Sequence, residues 1–445
     1  MFLKIGFIIA TIGFLGIPGL IYQGSDVQPS TLLFGWLLIA SQVRLKFNRD
    51  FIFLSLLFLV YIILVALYLQ VDLDWKTLLI YCIGLIQLCL YSSLFTSLSQ
   101  KPINFLLEKF LCLIPILVFF SIICTFNFPD LLLPFKSRTI MFDGLESYRG
   151  ASGILPEPGA VGFFCGAIIL ASFLLNISNA IKLINPLLPI SLNKMLCITL
   201  IPDYLSKNYV KFSLASGLFS ALVSFSVTSF ISYILLVSVI FFPFFLNLSS
   251  SRISIKPVLI ASFFTVLLSL LLIFNPFPQS SRGYSVLTAL RNDPLLLLSG
   301  NTGDASAGDR GNSTKIGLTS PMLSPFGNGL NGISNLTSNC NSSMVISLQL
   351  QCENDYNSSR NHNSLANFTQ DGGLLGLLFL ISLLSPGFNP ICLSKYSFPV
   401  ISIIFYLVLA LIALPAPLGS PAVWILIASL RHFALTCYSF RCDIN

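Results

Sequence analysis

The chain has 445 residues, of which 55% are hydrophobic and 9% charged, against about 25% charged in a soluble globular protein. That balance excludes a water-soluble fold and predicts an all-α, polytopic integral membrane protein. The net charge of +7 is read as a property of topology rather than a nucleic-acid-binding patch, and no nucleic-acid partner is expected.

A bilayer core takes about 20 apolar residues per helix. Twelve segments approach that length, near 5–22, 29–43, 51–69, 77–95, 110–126, 158–176, 211–225, 228–247, 257–274, 373–388, 397–414 and 420–436. Segment 29–43 is short, and 211–247 reads as two helices or one tilted helix. Residues 181–201 read as a further span or, given Pro186, Pro189 and Lys194, as an interfacial helix. The start carries Lys4 and a long apolar run without a small-residue cleavage site, so it is expected to be an anchor rather than a removed signal peptide. Four regions follow: N-terminal transmembrane helices over 1–104, a central transmembrane core over 105–274 with an exterior loop at 127–157, a large exterior loop over 275–371, and C-terminal transmembrane helices over 372–445.

Lys and Arg in short loops stay in the cytoplasm. With the N-terminus inside and twelve crossings, the inside holds 15 of the 24 basic residues but only four of the 17 acids, a charge of +11 against −4 outside. Both termini are then cytoplasmic. Nine of the eleven cysteines fall in spans or on the inside; the other two, Cys340 and Cys352, share the large exterior loop, where an oxidising compartment is expected to close them into a disulfide. No Cys/His cluster has zinc spacing, and neither a metal nor a cofactor is expected.

Ion-coupled carriers place ionisable groups deep in the membrane, whereas these spans are almost free of them. Glu108 and Lys109 sit at a span end, where snorkelling is expected to suffice. The chemistry is therefore expected at the outer face. Three constellations stand there. In SYRGASGILPEPGAVGFFCG, residues 147–166, Arg149 has the fork to pair with a phosphate, and Glu157 is placed to orient it or take a proton. The same residues suit a headgroup-binding Arg and a helix-capping Glu. In GDRGNSTKIGLTSPMLSPFGNGL, residues 308–330, Arg310 and Lys315 are basic, and Gly327 and Gly329 let backbone amides approach an anion. The spacing is not that of a Walker loop, and a solvated loop has the same composition. In RNHNSLANFTQDGGLLG, residues 360–376, a neutral His362 suits general-base catalysis near pH 7, with Arg360 as a further anion contact. An ordinary surface histidine is the alternative. The second histidine, His432 beside Arg431, reads as an interfacial residue.

Together these stretches resemble the bacterial O-antigen polymerase and O-antigen ligase superfamily. His362, Asn363, nine residues, Gly373, two residues and Gly376 are similar to the ligase histidine signature. Arg149, Gly153, Glu157 and Pro158 resemble the RxxGxxxEP run of the polymerases. Arg310 to Gly329, with SPFGNG, resembles their basic start and PxxGxG turn. SFSVTSF, residues 224–230, is similar to the Ser/Thr break between consecutive spans. The likeness covers about residues 105–385.

The resemblance implies a glycosyltransferase in the bacterial inner membrane that acts at its periplasmic face on a glycan carried by undecaprenyl diphosphate, without a metal ion. Arg149 and Arg310, helped by Arg282 or Arg360, would neutralise the departing diphosphate. His362 or Glu157 would accept the proton of the attacking hydroxyl. Lys315, Asn363, Gly327 and Gly329 join the binding set. Membrane lipids and a chain-length regulator are the other expected partners. A polymerase extends one lipid-linked repeat with another, and a ligase passes the glycan to the lipid A core; the Glu-Pro run and long Asn-rich loop favour the polymerase, the histidine signature the ligase. A lipid-linked glycan transporter is a further alternative, against which the clean spans argue. Asp72 and Asp74 form a DxD in a short exterior loop, read as a solvated turn rather than a metal site.

Overall fold

The computed structural model describes residues 2–13, 28–70, 75–98, 104–128, 150–183, 199–247, 324–330, 364–384 and 420–444, with scattered single positions at 131 and between 274 and 322. These residues form helices: α1 (Phe2–Ile12), α2 (Pro29–Ala40), α3 (Arg49–Tyr68), α4 (Trp75–Leu98), α5 (Asn104–Asn127), α6 (Pro158–Leu183), α7 (Ile201–Ser206), α8 (Asn208–Val223), α9 (Val227–Asn247), α10 (Ser364–Leu384) and α11 (Pro421–Ile444). Among the described residues, Thr77–Leu98, Leu107–Asn127 and Pro158–Leu183 are long and apolar enough to cross a membrane. Shorter apolar helices accompany them at Phe2–Ile12, Pro29–Ala40, Ile52–Tyr68, Val227–Ile240 and Pro421–Cys437. On α3 the side chains of Phe53, Leu56, Leu57, Val60, Leu64 and Leu67 are all exposed. An outward apolar stripe of that length fits a lipid environment rather than water.

The centre of the bundle is α6. Every residue from Val161 to Asn179 is buried, as expected of a helix that is apolar on all sides. Helices α5, α9 and α11 pack around it. Pro158 opens the helix at its first position, where the missing N–H matters least, and Lys182 lies in the last turn.

Contacts between neighbours show alternating helix directions. Lys4 of α1 lies over the Phe110 ring at the start of α5, and the Lys182 Nζ at the end of α6 is 3.2 Å from Nε2 of His432 in α11. At the opposite end, Gly13 meets Pro421, and the Ile154 N–H before α6 donates to Ser121 Oγ of α5 at 3.1 Å. One end of the bundle thus gathers Lys4, Lys182, Lys207 and Arg431. The other gathers Ser121, the 150–158 turn and the α8–α9 junction.

The 211–247 region forms two helices. Phe225 takes a left-handed conformation with φ 49° between them, and Ser226 Oγ accepts the Ser229 N–H at 3.4 Å, a cap at the new N-terminus.

One reading of the sequence is corrected. Glu108 does not snorkel: it is 1% exposed, with Oε1 accepting the Tyr209 hydroxyl at 2.6 Å and lying 3.5 Å from Lys207 Nζ. Its partners lie about a hundred residues away in sequence, which span hydropathy does not register. His432 is buried, at 8% exposure, with its ring 6.4 Å from that of Phe95.

Helix α10 begins at Ser364, inside the stretch read as exterior loop, and bends sharply at Gly373 with φ 58° and ψ −137°. The Phe368 and Phe379 rings lie 5.7 Å apart, whereas a straight helix would separate those positions by about 16 Å along its axis. The two arms therefore fold back on each other. Both rings also meet Phe58 of α3, at 5.4 and 4.4 Å.

Candidate functional site

Two of the stretches singled out in the sequence meet through their backbones. In the 324–330 loop, Pro325 opens a turn closed by the Gly327 N–H donating to the Ser324 carbonyl at 2.9 Å. The Ser324 hydroxyl donates to the Gly327 carbonyl, also at 2.9 Å. The loop then grips the bend of α10. Asn328 N–H donates to the Gln370 carbonyl at 2.9 Å, Gly329 N–H to the Asp371 carbonyl at 3.1 Å, and Leu374 N–H back to the Pro325 carbonyl at 2.8 Å. The Asn328 side-chain amide adds a bond to Gln370 O at 3.3 Å. The backbone groups that a helix break leaves without partners are thus satisfied by the SPFGNG loop.

Glycine is required at this contact. Gly327 has φ 83° and Gly373 φ 58°, a region other residues rarely occupy. A β-carbon on Gly327 would run into the Asp371 carbonyl, and one on Gly373 into the Pro325 carbonyl. Helix α3 holds the other side of the loop: the Tyr61 hydroxyl donates to the Phe326 carbonyl at 2.7 Å, and Gly329 sits against the backbone of Ala66.

Beneath the clasp lies a residue the sequence reading passed over. Asp371 is 5% exposed, and its Oδ2 accepts the Tyr81 hydroxyl at 2.6 Å. Asn367, Thr369 and Gln370 of the same arm are buried as well. The signal was present in Thr-Gln-Asp-Gly-Gly, a polar run against two glycines, but a polar run at the edge of a span reads as solvated loop.

The Glu157 stretch forms a second contact. Gly153 turns with φ 60° beside Ser121, and the half-buried Glu157 offers its carbonyl to the Ala160 N–H at 3.1 Å. Gly162 N–H donates to Ser229 Oγ across helices at 2.7 Å, and Gly150 packs on the Ser224 carbonyl. The RxxGxxxEP-like run therefore rests on the SFSVTSF break. Helix α11 lies between this contact and the clasp: it packs along α6, and its Trp424 ring is 6.2 Å from that of Phe368.

Of the predicted site residues, Glu157, Gly327 and Gly329 lie among the described residues; the Gly327 and Gly329 amides, expected to approach an anion, instead donate to the Ser324 and Asp371 carbonyls, and the structure joins these two glycines to Gly373. Arg149, Arg282, Arg310, Lys315, Arg360, His362 and Asn363 lie outside the described residues, as do Cys340, Cys352, Asp72 and Asp74. Compared with protein-family models, curated proteins and solved structures, the chain finds no match.

Proposed function

We propose that the chain is a twelve-span glycosyltransferase of the bacterial inner membrane that polymerises undecaprenyl-diphosphate-linked oligosaccharide repeats of O-antigen or a related surface polysaccharide. The observation that carries this reading is the clasp between the 324–330 loop and the Gly373 bend. Asn328 and Gln370 are 42 residues apart in sequence, and they belong to two separate motifs of the resemblance. The contact of the 150–162 stretch with the Ser/Thr break adds a second such pairing.

In this reading an acceptor sugar hydroxyl attacks the anomeric carbon of the donor glycan. The bond from that carbon to the diphosphate oxygen breaks, and undecaprenyl diphosphate leaves with the electron pair. Arg149 and Arg310 neutralise the leaving group, which grows more negative as the bond breaks. His362 or Glu157 takes the hydroxyl proton. The clasp fixes one end of the segment that carries Arg310 to the start of the helix that follows His362.

The full His362–Gly376 run favours a ligase as the second reading. A transporter gains from the two buried carboxylates, Glu108 and Asp371, which the sequence reading had not placed among the helices. Glycan profiling in a strain lacking the gene, complemented with wild type, Arg149→Ala or His362→Ala, separates the three. A single repeat on the lipid A core indicates the polymerase. Loss of all repeats from the core, with polymer held on undecaprenyl diphosphate, indicates the ligase. Repeat units accumulating unextended on the cytoplasmic side indicate the transporter. Normal glycan from both variants overturns the catalytic assignment.

A further inference from the structure

At the basic end of the bundle, away from the clasp, a cavity of about 330 Å³ opens between the segment after α2, the second half of α4 and the second half of α11. Lys46, Arg431 and His432 line it with Ser92 and Ser93, and none of the described residues lining it is acidic. Lys182 stands directly behind His432, its Nζ 3.2 Å from the ring nitrogen, so a third cation adds to the positive field. Ser92 Oγ is buried without a hydrogen-bond partner, whereas the Ser93 and Thr96 hydroxyls are committed to the Cys89 and Ser92 carbonyls at 2.7 and 2.9 Å. The segment bearing Lys46 is held to α4 by its N–H donating to Ser97 Oγ at 3.1 Å.

Cations around a half-open cavity without an acidic neighbour are the chemistry that recognises a phosphate. The apolar surroundings decide its source. Ile52 lines the cavity, and the exposed stripe beginning at Phe53, Leu56 and Leu57 continues from it along α3. On the α11 side, Leu435 lines the cavity and is 42% exposed. A free phosphate has no use for this flank, but an acyl chain does.

We propose that this cavity binds the phosphate headgroup of an anionic phospholipid, with Arg431 and Lys46 as its charge partners and the acyl chains laid along α3 and Leu435. Basic pockets between membrane helices on the cytoplasmic side hold anionic headgroups in this manner. The site is at the opposite end of the bundle from the glycan chemistry and stands independently of it.

The test is native mass spectrometry of the full chain in mild detergent, offered phosphatidylglycerol, phosphatidylethanolamine of the same acyl composition, or inorganic phosphate. Phosphatidylglycerol is expected to be retained well above phosphatidylethanolamine. Each of Lys46→Gln and Arg431→Gln should lower its binding about fivefold. Equal retention of the two lipids, or binding unchanged in the double variant, overturns the proposal. Retention or thermal protection by inorganic phosphate without lipid selectivity overturns the assignment to a lipid. If Arg431→Gln fails to fold, the charge reversal Lys46→Glu, on the cavity lining, carries the same comparison.

Discussion

Gly327 and Gly373 occupy each other's missing side chains: the amide of Gly327 fills the space a β-carbon on Gly373 would need, and the carbonyl of Asp371, two residues before Gly373, fills that of Gly327. Both have positive φ, so a substitution at either is opposed by conformation and by space together. Alanine at Gly327 or Gly373 is expected to lower stability by about 2 kcal/mol or more, since the left-handed conformation alone costs about 1–2 kcal/mol. Thermal unfolding in detergent reads this directly. Wild-type midpoints for both variants would mean the clasp does not form.

Tyr81→Phe removes the donor to Asp371 and leaves the aromatic packing on Phe58 and Phe368 in place. A hydrogen bond to a charged group contributes about 1.5–3 kcal/mol. The expected result is a loss of that order, with Asp371→Asn tolerated better than Asp371→Leu because the amide oxygen still accepts the tyrosine proton. The ranking of unfolding midpoints across the three variants checks it.

The α6–α9 contact should be more sensitive to volume than to the hydrogen bond. Ser229→Ala leaves the Gly162 N–H without its cross-helix acceptor, a loss of about 1 kcal/mol. Gly162→Ala drives a methyl group into the Ser229 backbone and forces the helices apart, so it is expected to be the worse of the two. A reversed order in thermal unfolding would show that the helices separate easily there.

At the other end of the bundle, Glu108→Gln and Lys207→Met should be coupled. The carboxylate is buried, with Lys207 and Tyr209 as its partners. Removing the cation alone leaves a buried charge short of compensation. Lys207→Met is therefore expected to be destabilising in the wild-type background and nearly silent when Glu108 is already Gln. A double-mutant cycle on unfolding free energies should return a coupling between about 0.5 and 3 kcal/mol.

Helix class and most helix positions were legible because long apolar runs leave few alternatives. The Ser224–Ser226 break was legible only as an ambiguity, settled by the left-handed Phe225. What hydropathy could not see was polar sequence that is nonetheless buried. Ser364–Gly372 reads as loop because Asn367, Thr369, Gln370 and Asp371 prefer water unless partners are supplied, and those partners lie in α3, α4 and the 324–330 loop, far away in sequence. Glu108 was misread for the same reason, since Tyr209 is 101 residues distant. The glycine motifs were recognised separately, as an anion-approach loop and as part of a histidine run. Their fit to one another belongs to the third dimension and has no trace in either spacing.

The clasp also ties together two points that are 42 residues apart in sequence. The backbone departs from it at Leu330 and is back in helix at Ser364, with Asn328 and Gln370 bonded together. The clasp thus holds Leu330 and the bend of α10 in place whatever length of chain joins them. Doubling such a loop adds only about 0.6 kcal/mol of closure entropy. Changes of length there that spare Arg360, His362 and Asn363 are therefore expected to leave the helices on either side in place.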